Sequence, residues 1–306
     1  MLKEAALPVA ATTAANAATA TATASSGNRP RQGGQHQQWT LRVFTVLTLF
    51  WLVLLLTGSY WYPLDPLKMD VAQSLAVPSY EHLLGCDRLG RDVLARIFGG
   101  AWHSLMLAFL IIAQAALIGC SLGLLAALQQ GVIARMVATL INALLALPQQ
   151  LMVILVVGVL GVGLWHSVLA LSLFWWIHFA RICYCRVVSM KKEAYMVQAV
   201  ISGESKWSLL RFYLWPQLKS QLILTALLDV GAAILALATL SFLGLATQPP
   251  QPEWGSMLFE NRAYLQQAPH LLVFPALAIF ISVLLCNLLG HAYMRTQKPQ
   301  QHSPEQ

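Results

Sequence analysis

Charge is what this sequence has least of. Of its 306 residues, 10% are Asp, Glu, Lys or Arg, against about a quarter in an ordinary soluble domain. Acidic residues are the scarcest, 12 against 19 Lys and Arg, for a formal net charge of +7. With 58% hydrophobic residues and a mean hydropathy of +0.62, so few charges exclude a soluble globular domain. They leave an all-α chain that crosses a membrane several times.

Several chemistries are excluded by what is missing. No G-x-x-x-x-G-K-[ST] loop occurs, so the chain has no phosphate cradle for ATP of its own, and no cofactor is expected on it. No H-E-x-x-H occurs either. Cysteine is sparse, at 5 residues, and shows no disulfide framework. Cys183 and Cys185 are too close in sequence for the C-x₂₋₄-C spacing of a structural zinc site. His103, His166, His178, His270 and His291 lie near span ends, and no two of them stand at i,i+4. The expected number of metal ligands is therefore none, and these residues read as packing. No basic patch interleaved with aromatics suggests nucleic acid. The charge fits anionic lipid instead.

What is present begins with a change of material at residue 39. Residues 1–38 are Ala/Thr-rich, then Gly/Gln-rich, and cannot offset their ordering entropy, so a disordered cytoplasmic tail is expected. Six apolar spans follow, at 41–60, 104–128, 136–160, 164–181, 222–245 and 271–289, each near the ~20 residues that a crossing needs. No A-x-A-like site follows the first, which reads as an uncleaved anchor. The third is interrupted by "LPQQ", where Pro148 removes a donor and Gln149 and Gln150 need partners. That span should bend and face protein. With the N-terminus inside, the outer segments hold Lys68, Arg88, Arg91, Arg96 and Arg262, and the other 14 of the 19 basic residues lie inside. Both termini, with the tail 296–306, are therefore expected in the cytoplasm.

Between the fourth and fifth spans lies "EAYMVQAVISGESKWSLLRFYLWPQL", Glu193 to Leu218. Ala194, Val197, Val200 and Ile201 share one helical face, and Trp207, Leu210 and Leu214 another. Gly203 permits a turn between the two, and Pro216 marks a stop. The pattern fits two short amphipathic helices forming a knob for a partner's groove. It fits equally a helical hairpin lying flat on the headgroups.

This segment resembles the EAA loop of bacterial ABC-importer permeases: E-A-A, three residues, Gly, nine residues, I-x-L-P. Ala199, Gly203 and Pro216 occupy matching positions, while Val197, Gln198, Tyr213 and Trp215 depart from the usual letters. Two further blocks are similar to the dipeptide/oligopeptide/nickel group of these permeases: "HLLGCDRLGRDVLARIFGGAWHSL" from His82, and "LSFLGLATQPPQPEWGSMLFENRAYL" from Leu240. The resemblance covers residues 41 to 295 or so and implies a MetI-like permease fold. It implies a coupling helix on Glu193, Ala199, Gly203, Trp207, Arg211 and Pro216. The implied partners are a second homologous permease, two ATPase subunits carrying ATP and magnesium, and an extracytoplasmic solute-binding protein.

The residues of these blocks also read on their own. Asp87/Arg91, Arg88/Asp92 and Asp92/Arg96 stand at i,i+4, which predicts a charge ladder on a short outer helix entering the second span. Cys86 stands where the family usually has Thr and reads as a small apolar residue. Pro249, Pro250 and Pro252 predict an extended outer loop, Gly255 a close approach, and Glu253 with Trp254 a loop closed on itself rather than a contact for a binding protein. Asp229 falls inside the fifth span, where a carboxylate costs on the order of 3 kcal/mol and should face the bundle interior or a wet path. Nickel-type members of the group carry Asp-Ile-Gly here, and this chain reads Asp229-Val230-Gly231. Peptide-type members often have a Glu where this chain shows Leu237, and Leu-Gly where it shows Ser202-Gly203.

The expected function is the inner-membrane permease subunit of an importer for nickel or a metal chelate, working by alternating access along a path holding Asp229 and the Pro148–Gln150 bend. Dipeptide or oligopeptide import by the same family is the alternative. The rival of another class is an intramembrane serine hydrolase, since Gly119, Ser121 and Gly123 match G-x-S-x-G. The strand–turn–helix context of that motif is missing, and small residues at this spacing also let helices pack closely.

Overall fold

Inside a bilayer the backbone has no water to bond to, so apolar runs of this length can satisfy their N–H and C=O groups only as helices. The computed structural model describes residues 32–129 and 132–297. Among them the one β pairing outside helices is an isolated bridge between Cys86 and Asp92. Expectations for residues 1–31 and 298–306 fall outside the described residues.

Five helices are long and apolar enough to cross a membrane: α1 (Gln32–Trp61), α2 (Val93–Leu128), α5 (Leu164–Met190), α7 (Lys206–Phe242) and α9 (His270–Gln297). The number becomes six if α3 (Val132–Leu145) and α4 (Gln149–Leu160) are counted as one broken span. Short helices α6 (Ala194–Ile201) and α8 (Trp254–Asn261) lie outside the spans.

The helices overrun the spans read from hydropathy. α5 continues through Arg181 and Arg186 to Met190, and α2 starts before residue 104, at Val93. Hydropathy loses a helix at its first charged turns, but charge alone does not end a backbone ladder. α1 likewise starts at Gln32, inside the segment expected to be a tail.

Pro148 breaks the third span more sharply than a bend. It caps α4, and the two halves diverge by 91°. Leu147, Pro148 and Gln149 stay exposed on this chain, so any protein they face is supplied by another subunit. Pro216, expected as a stop, is instead run through. The chain forms a π-helical turn at Leu209–Leu214, where the Trp215 N–H bonds to the Leu210 carbonyl. This wider turn absorbs the missing proline donor, and the ladder continues into α7.

α2 and α5 make the closest pairing, and two glycines permit it. A Cβ on Gly119 would stand 2.3 Å from the Trp176 carbonyl oxygen, and one on Gly123 2.3 Å from that of Ala180. Around this seam Ile111, Ala115, Leu171, Phe179 and Cys183 are buried in one core. Ser121 between the glycines points away, exposed, its hydroxyl donating to the Leu117 carbonyl of its own helix at 2.7 Å.

The expected outer ladder is replaced by a buried knot. Residues 87–92 are a turn rather than a helix, and Asp92 is the N-cap of α2, accepting from the Ala95 N–H at 2.7 Å. Only the first of the three expected pairs forms, Arg91 Nε to Asp87 Oδ2 at 2.6 Å, and it is buried. Arg88 and Arg96 do not pair with Asp92. Arg96 lies 3.6 Å from Asp87 and 3.3 Å from Glu260 of α8, and Arg91 also bonds Glu260. The four side chains are 1–3% exposed, and their two positive and two negative charges cancel. Asp92 Oδ2 accepts from the Tyr62 hydroxyl at 3.1 Å and lies 2.9 Å from His82 Nδ1. Burial, followed by the charge of Asp92, pushes the Tyr62 hydroxyl up to about 12.

Two outcomes follow from this packing. Gly123→Leu should destabilise the purified protein by about 1–3 kcal/mol through overpacking, visible as a lower melting temperature in detergent, whereas Ser121→Ala should leave it unchanged. Glu260→Gln leaves two guanidinium groups with the single carboxylate of Asp87, one buried charge uncompensated, and should cost about 3–5 kcal/mol. Adding Arg91→Met to that variant should recover part of the loss in the same thermal assay.

Candidate functional site

The segment between α5 and α7 folds as a hinged knob. Glu193 is the N-cap residue of α6, without a side-chain cap bond. Gly203 ends the helix at φ +80°, where a side chain is strained, with its N–H on the Val200 carbonyl. Nothing stands within 4 Å of where its Cβ would be, so the glycine serves the turn and not packing. Ser205 then caps the start of α7, accepting from the Ser208 N–H.

The knob turns one face inward and leaves the other open. Met196 and Ala199 are buried. Ile201 is 79% exposed, Trp207 68% and Phe212 67%, and Arg211 and Pro216 are exposed beside them. An apolar surface of this kind at the end of a membrane chain marks an interface. Behind it a groove of about 580 Å³ runs between Leu128, Lys191, Val200, Glu204 and Leu209. Lys191 ties this knob to α2 by donating to the Ala127 carbonyl. Burial, then the charge of Lys206, lowers its pKa.

A second polar site sits within the spans. Asp229 of α7, with a side chain 13% exposed, accepts from Trp175 Nε1 of α5 at 3.2 Å. His178 Nδ1 lies 3.3 Å from the same oxygen, and its side chain is half exposed. His178 is about 20 Å from either end of α5, and Arg181 and Arg186 follow it on the same helix. Pro148, Gln149 and Gln150 share no hydrogen bond or ion pair with Asp229 among the described residues. α5 packs against both α4 and α7.

At the opposite end of α7, Glu253 and Trp254 are wholly buried. Glu253 caps α8, accepting from the Gly255 and Ser256 N–H groups at 2.9 and 2.8 Å, and Ser104 of α2 donates to it at 3.2 Å. Burial raises its pKa. Trp254 Nε1 donates to the Ile97 carbonyl at 3.0 Å. Together these residues fasten the proline-rich loop to α2. Asp87, Arg91 and Asp92 stand in the same outer layer, in the knot described above.

Sequence reasoning missed His178, Trp175, Glu260 and Lys191. Glu260 sat inside a quoted motif as its one acid on α8, with no partner assigned to it. His178 was read as packing, and no local signal tied it to Asp229. Both need a partner more than a hundred residues away, or on another helix, to make sense. Among the described residues no group of three or more His, Cys, Asp and Glu side chains could hold a metal ion.

Known proteins share this architecture. Residues 119–301 match the family described as binding-protein-dependent transport system inner membrane component. The chain is 37% identical to the glutathione transport system permease protein GsiD of Escherichia coli O6:K15:H31 over 257 residues, 84% of each chain. It is 38% identical to GsiD of Pectobacterium atrosepticum, over 70% of this chain and 71% of that one. With the nickel transport system permease protein NikC of Escherichia coli K12 it shares 30% identity, over 83% of this chain and 92% of that one. In fold it is similar to the MetNI methionine ABC transporter in an inward-facing conformation, with a TM-score of 0.53 at 16% identity, covering 65% of this chain and 95% of that one. Helices of spanning length, a bent third span and a knob before the fifth are thus the parts of a multi-pass transport permease and not of an enzyme, and the chain belongs to the family of binding-protein-dependent transport system inner membrane components, within the group of ABC importers that holds the glutathione and nickel permeases.

Proposed function

We propose that this chain is the permease subunit of an ATP-driven importer that carries nickel or a nickel chelate across the inner membrane by alternating access. The observation that carries the reading of an externally driven gate is the open apolar face of the knob, from Ile201 through Trp207 to Phe212. It is the wrong surface to leave in water and the right one to press into a partner. ATP and magnesium are held by two ATPase subunits that dock there, and none is bound by this chain. A second, homologous permease completes the path, and an extracytoplasmic binding protein delivers the cargo. Both termini lie in the cytoplasm, in keeping with the placement of Lys and Arg.

The cargo reading rests on Asp229, a carboxylate kept within the fifth span, bonded by Trp175 of α5 and close to His178. Closure of the ATPase pair moves the knobs together and reorients α7 and the broken α3–α4 span. Cargo is passed on only because the two states hold it differently. A second reading, import of glutathione or a short peptide, is favoured by the higher identity to the two glutathione permeases.

Gly203→Pro, whose ring cannot adopt φ +80°, should leave insertion largely intact but reduce uptake and cargo-stimulated ATPase activity at least tenfold. Unchanged uptake would remove the knob from coupling. Asp229→Asn should reduce uptake of labelled nickel in a deletion strain complemented with the variant, while expression stays near normal. Competition between labelled nickel, glutathione and dipeptides in the same strain decides the cargo.

A further inference from the structure

We infer that Gln217 is a positioning residue for coupling: its amide braces the knob helix α6 against α5 and against α7 beyond Pro216, so that a push on the knob is passed along α7. This rests on the reading of the knob as the place where the ATPase subunits dock.

The brace joins three helices. Gln217 Nε2 donates to the Tyr195 hydroxyl of α6 at 2.9 Å, and Arg186 Nη2 of α5 donates to Gln217 Oε1 at 3.4 Å. The chemistry decides which way the amide faces. A guanidinium can only donate, so it takes the amide oxygen, and the NH₂ group is left to the hydroxyl. Tyr195 also stacks on Tyr213, the rings 7° from parallel and their centroids 6.4 Å apart, within the range of attractive ring pairs. Tyr213 belongs to the π turn, and Gln217 lies past Pro216 in regular helix. One side chain of α6 therefore grips α7 on both sides of the proline.

Directional contacts to the knob are few. Among the described residues, Tyr195 is the one residue of α6 whose side chain is hydrogen-bonded. Met196 packs in the same core as Leu214, but apolar burial is non-directional and seats the helix without fixing its angle. The backbone link through Gly203 is a bare turn. A displacement applied at Ile201 or Trp207 would therefore be taken up at that turn and at the widened π stretch. With the brace in place it reaches Gln217 and the helix beyond. Both hydrogen bonds lie in exposed positions, where substitutions usually disturb folding little, so an effect on coupling separates from one on stability.

The test is Gln217→Leu, which removes both bonds, in the importer assembled with its partner subunits in proteoliposomes. Uptake of labelled nickel and of labelled glutathione should each fall about tenfold, within the usual range for a lost coupling between two sites. Melting temperature and basal ATP hydrolysis should stay near wild type. Gln217→Glu should restore uptake, because its carboxylate accepts from Arg186 and from the Tyr195 hydroxyl, which turns to donate. Hydrogen exchange of the α6 amides, which needs no cargo, should quicken in Gln217→Leu and return to the wild-type rate in Gln217→Glu. Unchanged exchange and uptake in Gln217→Leu would overturn the brace, as would a matching fall in melting temperature or a failed rescue by Gln217→Glu. If Gly203→Pro still cuts uptake in that case, the knob reading stands without the brace. Full uptake in both Gln217→Leu and Gly203→Pro would sink the knob reading itself.

Discussion

Asp87, Arg91, Arg96 and Glu260 come from a turn, the first helical turns of α2, and a hairpin helix lying between α7 and α9. Two arginines and two carboxylates, all but sealed from solvent, are tolerable only together, because each removed charge leaves another without compensation. This end of the bundle is therefore fixed as a unit. α2 can start only where Asp92 caps it, and α8 can sit only where Glu260 reaches both guanidinium groups. Trp254 and Glu253 complete the same layer with bonds to Ile97 and Ser104. The neighbouring thiol of Cys86 is pushed up to about 11, first by burial and then by Asp92 and Asp87, which keeps it protonated and inert in this acidic corner.

The opposite end is built on the reverse principle. There an apolar knob face is left in the open. A chain that satisfies one end internally, yet leaves the other with an open apolar face, is finished on one side and open to partners on the other. The glycine at the knob's turn has no packing duty and is required only by its positive φ.

Most of the architecture was legible in the sequence because the bilayer enforces it. Apolar runs become helices, and hydropathy finds them, though it misses their charged ends, as at Arg186 on α5. The bend at Pro148 was legible from the missing donor, but its 91° size was not, since that depends on what α5 offers each half. Pro216 misled for a physical reason. A proline breaks an α ladder, but a π turn ahead of it supplies the slack, and nothing in six residues of local sequence announces that. The charges near residue 90 misled in another way. Spacing of i,i+4 predicts a ladder only where a helix exists, and here the partner that decides the geometry, Glu260, lies far along the chain. His178 was hidden by the same limit, because a lone histidine acquires meaning only from the aspartate across the helix pair.

The run through Pro216 has a mechanical consequence for the proposed cycle. Because α7 is continuous from Lys206 to Phe242, Trp207 in the knob and Asp229 within the fifth span lie on one rod, about 33 Å apart at 1.5 Å per residue. A loop between them would absorb a displacement applied at the knob, whereas a helix transmits it. The π turn at Leu209–Leu214 is the one place along that rod where the ladder is widened, and so the one place where the rod can yield. Its position, on the knob side of the membrane, leaves the stretch carrying Asp229 stiff. Motion of the knob would then reach the pairing of Asp229 with His178 and Trp175 as a shift of α7 against α5. These contacts are set where two helices meet, and a sliding motion there would change how Trp175 and His178 meet the carboxylate.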